Sequence, residues 1–326
     1  MRFGAFIPQG WTLDLAGIDV RDQWQTMLGV ARTLELSGFE SGWVFDHFHT
    51  VPEPTQEPTY EAWTMMAALA AATDSLRLGQ MCTCNSYRPP AYLAHVAAST
   101  DVISGGRLEM GIGAGWYEAE YRAHGYDFPK ASVRIGQLGD GIEIMKRMWT
   151  EDRASYKGDY FSIDGAICTP KPLQDPHIPL WVAGGGEQLT LRLAARHADY
   201  TNFAGSPEKF AHKSRVLRDH CADVGTEFDS ITRSMNMSLV CAPTEAEALE
   251  RLDEVAGRLE GIVSDSQRLE RFLTEARRRS GPPEKIIEEI RPYAEEGMDY
   301  LIVRFPDAAY DHSGVELFGK EVIGSI

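Results

Sequence analysis

One short polar run, Phe45-Asp46-His47-Phe48-His49, follows an apolar segment and carries side chains suited to proton transfer. A neutral imidazole both donates and accepts hydrogen bonds, and its ordinary pKa of about 6.5 allows proton exchange near neutrality. Asp46 can bias the tautomer or the pKa of this imidazole, although neighbouring residues of a strand point to opposite faces. His47 is therefore our candidate catalytic residue. The alternative is a loop histidine that makes a structural hydrogen bond.

The same run also has a spacing, Asp46-His47-x-His49, that suits a metal ion. A zinc site needs three or four protein ligands. No other segment of the sequence supplies a clear matching set, so we predict no metal centre.

Two glycine clusters mark places where a ligand can approach the backbone closely. Gly184-Gly185-Gly186 lies between a predicted strand and a predicted helix, where free N–H groups and the helix dipole attract phosphate. These backbone donors suffice to hold a phosphate without any lysine; a tight turn that binds nothing is an equal alternative. Gly111-x-Gly113-x-Gly115 lacks the spacing of a dinucleotide site. Its small residues allow a planar ring to lie against the backbone instead.

The elements that position these residues alternate between short apolar runs and amphipathic stretches. Eight apolar runs predict strands, and the stretches between them predict helices, for example over residues 187–197 and 207–224. This alternation is typical of a parallel sheet, and eight repeats favour a closed (β/α)8 barrel of the α/β class over an open sheet. No linker composition occurs, so residues 1–326 are predicted to form a single barrel domain with insertions.

A parallel barrel places reactive residues at the carboxyl ends of its strands. Such ends are predicted near His47, Cys82, Gly113, Ala183 and Arg304. Two segments do not follow the alternation of strands and helices. Residues 154–166 predict a small inserted hairpin, and the charged stretch 245–279 predicts a solvated outer-helix face to which we assign no chemistry.

Composition limits the classes of function. Lys and Arg number 32 against 48 Asp and Glu, so the 326-residue chain has a formal charge of −16. Such a protein repels nucleic acid and anionic membranes, which leaves small molecules or proteins as partners. Five cysteines, an odd number, favour free thiols in a reducing compartment. The N-terminus lacks a signal-peptide core and no window approaches ~20 apolar residues, so we expect a cytoplasmic protein.

Four segments together resemble the bacterial luciferase-like monooxygenase superfamily. They are Phe45-Asp46-His47 and residues 86–91 (SYRPPA), 104–116 (SGGRLEMGIGAGW) and 179–186 (PLWVAGGG). The resemblance runs from Arg2 to about Ala204 and, more loosely, on to the C-terminus. Within the superfamily the chain is most similar to the oxidoreductase branch that depends on the deazaflavin coenzyme F420. The superfamily fold is a (β/α)8 barrel, which agrees with the independent strand count.

The resemblance implies roles for individual residues. Asp46 and His47 match positions that line the deazaflavin ring, with His47 as the catalytic residue. Met81 and Cys82 match a bulge in the third strand that carries a non-proline cis peptide in relatives. The other cofactor-binding positions implied are Gly113, Ala114, Gly115, Trp116 and Tyr117 after the fourth strand, and Ala183, Gly184, Gly185 and Gly186 at the phosphate-binding turn.

One position departs from the family pattern. F420-dependent sugar-phosphate dehydrogenases carry a glutamate proton donor where this chain has Trp116. The resemblance therefore does not extend to sugar-phosphate oxidation. Trp116, with Trp11, Phe48, Tyr87 and Phe203, indicates a more apolar substrate pocket, with ordinary core packing as the alternative for these aromatic residues.

The function implied by the resemblance is hydride transfer between F420 and a small organic substrate. The alternatives are an FMN-dependent luciferase-like monooxygenase on the same barrel and a non-catalytic barrel that only binds a flavin. F420 and FMN both present a tricyclic ring and a phosphate, so the candidate site residues distinguish poorly between these two cofactors. Relatives are often homodimers, which makes a second copy of the chain an expected partner.

Overall fold

The computed structural model describes residues Met1–Ile326 and consists of alternating strands and helices. The strands are β1 (Arg2–Phe6), β2 (Ser41–Val44), β3 (Arg77–Gln80), β4 (Thr83–Cys84), β5 (Leu108–Gly113), β6 (Ala154–Lys157), β7 (Ser162–Ala166), β8 (Leu180–Ala183), β9 (Tyr200–Asn202), β10 (Thr232–Ser238) and β11 (Tyr300–Arg304). The helices are α1 (Val20–Leu36), α2 (Ala62–Ala72), α3 (Pro90–Ser104), α4 (Glu118–Ala123), α5 (Ala131–Thr150), α6 (Thr190–His197), α7 (Pro207–Val224), α8 (Glu245–Leu259), α9 (Ser266–Arg279), α10 (Pro283–Glu295) and α11 (Ser313–Glu321).

One compact unit comprises Met1–Met65, Ser75–Arg77 and Ser234–Ile326. Within it β1 pairs in parallel with β2 on one side and with β11 on the other, and β11 pairs in parallel with β10. All residues of β2 are buried, as are all but one in β1 and in β11. Such continuous burial is expected of strands covered on both faces. Because the strands are parallel, their carboxyl ends share one edge of this unit.

The other compact unit comprises Met66–Asp74 and Leu78–Arg233. Here β3 and β4 both pair in parallel with β5, β5 pairs with β8, and β8 pairs with β9. Strands β6 and β7 form an antiparallel hairpin between α5 and β8. The inserted hairpin predicted over residues 154–166 is thereby confirmed.

The strand–helix order gives the fold class. Strands β3 and β4 are two parts of one strand position, so the nine parallel strands fill eight positions, and each position is followed by a helix. The fold is the predicted (β/α)8 barrel. We retain the single domain over residues 1–326 as a prediction.

Helix boundaries agree with the sequence where capping signals are strong. Helix α7 spans the predicted residues 207–224, because the Ser206 side chain caps its start and Gly225, with a positive φ of 79°, ends it. The helix predicted from residue 187 begins only at Thr190. The backbone of residues 184–189 is irregular instead, so the glycine turn is longer than predicted. The short helices α4 and α11 carry too little periodicity to be predicted.

The charged stretch 245–279 forms α8 and α9, which follow the carboxyl end of β10. Exposed charges link the two helices, as in the ion pair between Arg277 and Asp253 at 2.6 Å. Their apolar faces pack with Leu13 and Ala16, which belong to the loop after β1. The segment therefore has both a charged outer face and an apolar inner face.

All five cysteines are free thiols, and Cys82 is the one that is partly exposed. None of the helices combines the length and apolar character that crossing a bilayer requires.

Candidate active site

A buried glutamine holds the backbone that carries His47. Through Oε1, Gln9 accepts the N–H of Phe45 at 2.8 Å, and through Nε2 it donates to the carbonyl oxygens of Phe45 at 2.7 Å and Tyr60 at 2.6 Å. The chain is thus fixed just after β2 ends. Asp46 is buried, whereas His47 is partly exposed. Their different exposure is expected of neighbouring residues in extended backbone.

The imidazole of His47 stacks on the indole of Trp11. The two ring centroids are 4.3 Å apart and the planes differ by 7°. Trp11 also packs against Phe45, with ring centroids 4.2 Å apart. This packing fixes the plane of the imidazole and leaves its edge, which carries both nitrogen atoms, for polar contacts. The sequence predicts Trp11 only as a wall of an apolar pocket, since no spacing rule links it to His47.

The loop that presents Trp11 is itself tightly held. Asp14 Oδ1 accepts the N–H groups of Gln9 at 3.2 Å and Gly10 at 2.6 Å, and Oδ2 accepts the hydroxyl of Thr12 at 2.8 Å. Gly10 has a φ of +97°, and a Cβ there would collide with the carbonyl oxygen of Pro58. Only glycine fits at this position.

In the second unit, the ends of three strand positions meet at Gly113. A Cβ on Gly113 would lie 2.6 Å from Cys82 Sγ and 3.4 Å from the carbonyl oxygen of Ala183. The Met81–Cys82 peptide bond is cis, which confirms the expectation from the resemblance. Met81 is buried, while Cys82 and Ala183 are partly exposed. The predicted positions after β3, β5 and β8 are therefore neighbours here.

The loop after β5 closes over a buried tyrosine. Gly115 has a φ of +77°, and a Cβ there would collide with the hydroxyl of Tyr121. That hydroxyl donates to the carbonyl oxygen of Ala114 at 3.3 Å and lies 2.8 Å from Cys84 Sγ. Burial raises the pKa of Tyr121 above its usual range, so the hydroxyl stays protonated.

Two aromatic side chains form the exposed part of this loop. Trp116 and Tyr117 stack with ring centroids 5.1 Å apart and 11° between their planes. Trp116 is 61% exposed, far more than an ordinary core tryptophan. It offers a flat apolar surface to a ligand.

Two other residues of the expected apolar pocket lie in the core. Tyr87 is buried and donates to Oε2 of the buried Glu120 at 2.5 Å. Phe203 is buried and packs against Phe210, with ring centroids 4.8 Å apart. For Tyr87 and Phe203, the alternative of core packing is correct.

The triple-glycine turn presents a row of free backbone donors. Gly184 has a φ of +125° and its N–H donates to the carbonyl oxygen of Asn202 at 2.9 Å. The following N–H groups, those of Gly185, Gly186, Glu187 and Gln188, donate no hydrogen bond within the protein. They precede Thr190, where α6 begins. Free amides at a helix N-terminus provide the donors that a phosphate needs.

Helix α7 adds a lysine at this turn, a contact that the sequence analysis does not include. A Cβ on Gly185 would collide with Lys213 Nζ. The ammonium group donates to the carbonyl oxygen of Ala204 at 3.2 Å and lies 5.9 Å from the centroid of the Phe203 ring. The turn thus combines backbone donors with a positive charge, which suits an anionic phosphate.

The family assignment comes from comparison with known proteins. A family model described as luciferase-like monooxygenase matches residues 1–300. The chain belongs to the luciferase-like monooxygenase family.

Relatives within the luciferase-like monooxygenase family use two kinds of cofactor. The chain is 25% identical over 289 residues to an F420-dependent glucose-6-phosphate dehydrogenase of Amycolatopsis mediterranei, covering 82% of this chain and 85% of the relative. It is 26% identical over 262 residues to an FMNH2-dependent dimethylsulfone monooxygenase of Pseudomonas putida, covering 79% and 70%.

Solved structures agree on the fold. An F420-dependent secondary alcohol dehydrogenase in complex with an F420–acetone adduct superposes with a TM-score of 0.78 at 22% identity, covering 100% of this chain and 99% of that one. The relatives of this luciferase-like monooxygenase family member thus include oxidoreductases and monooxygenases that depend on F420 or FMN.

Proposed function

We propose that the protein is an oxidoreductase that exchanges a hydride between coenzyme F420 and a small organic substrate. The observation that carries the proposal is the turn at residues 184–188, where free amides and Lys213 suit the phosphate of such a cofactor. The sequence motifs of the F420 branch favour F420 over FMN. The match to an F420-dependent glucose-6-phosphate dehydrogenase, 85% of whose length aligns with this chain, also favours F420.

The residues present fit a bound cofactor in two places. The amides of Gly185 and Gly186 would bind the phosphate, with Lys213 as the counter-charge. Gly113 leaves room beside Cys82, because any larger residue would fill the space next to the thiol. Reduced F420 supplies a hydride from its ring carbon when it is bound, and the oxidised form accepts one.

His47 moves the accompanying proton. A hydride brings two electrons to a carbonyl carbon, so the carbonyl oxygen must gain a proton, and in the reverse direction an alcohol must lose one. The His47 imidazole can serve both directions, since an imidazole can donate or accept a proton. Trp11 acts as a positioning residue, since it fixes the plane of the imidazole.

Trp116 argues against sugar phosphates as substrates. Its indole N–H is too weak an acid to replace a glutamate proton donor, and its exposed face favours an apolar compound. We therefore propose a carbonyl or unsaturated substrate with apolar character.

Oxygen consumption tests the reaction type. The protein is mixed with reduced F420 or reduced FMN, and dioxygen uptake is followed with and without a panel of ketones, aldehydes and enones. We expect oxidation of F420 that depends on the substrate and not on dioxygen. Dioxygen uptake with reduced FMN would identify a monooxygenase instead, and stoichiometric binding without turnover of any substrate would indicate a storage protein.

A further inference from the structure

The loop that follows His47 is tied to the start of α9 by one carboxylate. The N–H of Ser264 donates to Glu53 Oε1 at 2.6 Å, and the Ser264 hydroxyl donates to Oε2 at 2.9 Å. Arg268 Nη1 donates to the same Oε2 at 2.7 Å. Ser264 lies directly before Asp265, the N-cap of α9. The carboxylate therefore joins two segments that are more than 200 residues apart in the chain.

This link is stronger than an ordinary surface ion pair. An exposed pair stabilises a protein little, because water screens the charges and ordering two long side chains costs entropy. The Glu53 side chain is only 12% exposed, and its three hydrogen bonds are charge-assisted. The hydrogen bonds from Ser264 hold the pKa of Glu53 below its usual range, so the carboxylate is ionised at neutral pH.

The turn that carries Glu53 contacts the aromatic partner of His47. The hydroxyl of the buried Thr50 donates to the carbonyl oxygen of Glu53 at 2.7 Å and so closes this turn. The N–H of the next residue, Val51, donates to the carbonyl oxygen of Trp11 at 2.8 Å. Trp11 in turn stacks on His47. A continuous set of contacts therefore runs from the Glu53 carboxylate to the imidazole.

The loop after β1, which carries the indole of the stacked pair, rests on the same helices. Leu13 and Ala16 of this loop pack in an apolar cluster with residues of α8 and α9. Val263 belongs to this cluster and directly precedes Ser264, which binds Glu53. The loops after β1 and β2 are thus both attached to the α8–α9 pair, one by apolar contacts and the other by a carboxylate.

We infer that Glu53 is a positioning residue that keeps the His47 imidazole stacked on Trp11. Without this carboxylate the loop after β2 loses its link to α9, whereas the loop after β1 stays packed, so the two rings can shift relative to each other. Small displacements of a catalytic group lower turnover. The effect on turnover rests on the proposed function, whereas the effect on the stacked rings does not. The charged stretch 245–279, to which the sequence assigns no chemistry, would thereby support the site.

Histidine NMR on the cofactor-free protein tests the stacking directly. Ring protons that lie over an indole face are shielded, so the His47 resonance, identified by its loss in His47→Gln, should lie upfield at a pH where histidine is neutral. We expect Glu53→Ala to move this resonance downfield. Glu53→Gln keeps the length of the side chain and one acceptor oxygen, and it should cause a smaller shift. The matched control, Asp253→Ala, breaks the ion pair with Arg277 between α8 and α9 and should leave the resonance in place.

Steady-state kinetics test the consequence for the reaction. Glu53→Ala should lower kcat by about tenfold and leave the KM of the substrate and the Kd for F420 close to those of the wild type, because the imidazole serves the proton step. Glu53→Gln should recover part of the rate. Thermal unfolding verifies that the variants are folded, and Glu53→Gln carries the test if Glu53→Ala does not fold.

Three results would overturn the inference. They are a His47 resonance at its wild-type position in a folded Glu53 variant, an equal shift in Asp253→Ala, and an unchanged kcat in Glu53→Ala. A shifted His47 resonance in a protein that does not bind F420 would support the role of Glu53 in stacking and contradict the proposed function.

Discussion

The indole of Trp11 covers one face of the His47 imidazole, with 4.3 Å between ring centroids and 7° between planes. The backbone ties the same two loops together, because the N–H of Val51 donates to the carbonyl oxygen of Trp11 at 2.8 Å. The orientation of the imidazole is therefore set by the loop after β1 as well as by the chain that carries it.

Removing the imidazole should stop proton transfer and leave cofactor binding intact. We expect His47→Ala to lower turnover by about 100-fold or more, because general acid–base catalysis contributes on that scale. The Kd for F420, measured by fluorescence titration, should stay close to that of the wild type. Unchanged turnover would remove His47 from the mechanism.

Removing the stacking partner should misplace the imidazole without removing it. Trp11→Leu should lower kcat by about tenfold, since small displacements of a catalytic group are costly, while KM changes little. Trp11→Phe keeps an aromatic face and should recover most of the rate. Equal kcat values for the Leu and Phe variants would show that stacking on His47 has no role in positioning.

The ammonium of Lys213 should contribute to binding of the cofactor phosphate. Lys213→Met should raise the Kd for F420 by about tenfold, as expected for loss of a hydrogen bond to a charged group. A deazaflavin that lacks the phosphate should bind wild type and variant equally. Lys209→Met, one helical turn away on α7, serves as the control and should bind F420 normally. A similar loss of affinity in both lysine variants would indicate a general charge effect.

Stability should depend on pH through Asp307. Its carboxylate is buried, its Oδ2 has no hydrogen-bond partner, and Arg251 lies 3.8 Å away. Burial raises the pKa of Asp307 from 3.8 to about 6, so the folded state favours the protonated form. The stability that this carboxyl contributes is present below about pH 4 and is lost as the pH rises through 6.

The variant Asp307→Asn should isolate this effect. The difference in free energy of unfolding between Asp307→Asn and wild type should shift in favour of the variant by about 2 kcal/mol between pH 4 and pH 7. Urea unfolding at a series of pH values measures it. A difference that stays constant across this range would mean that Asp307 titrates normally in the folded protein.

Much of the fold could be predicted from the sequence because the strands are buried on both faces. The apolar run at 301–303 in β11 and the capping signals of α7 identify their elements locally. The apolar run Leu76–Cys84 indicates a single third strand, whereas the structure divides it into β3 and β4 on either side of the cis peptide Met81–Cys82. The family resemblance implies this cis peptide bond, but the conformational preferences of Met81 and Cys82 do not.

The side-chain contacts of the site residues are harder to predict from the sequence than the fold. Lys213 reaches Gly185 only because α7 packs beside the turn that follows β8, and no spacing rule relates positions in successive repeats. Arg304 could be placed at a strand end from the sequence. That its guanidinium lies over the ring of Phe272 emerges only from the folded chain.

Equilibrium titration of the purified protein with oxidised F420 and with FMN, followed by fluorescence, tests the central claim most directly. We predict that F420 saturates the protein at one molecule per chain and binds at least tenfold more tightly than FMN. Tighter binding of FMN than of F420, or no saturable binding of either cofactor, would contradict the proposed function.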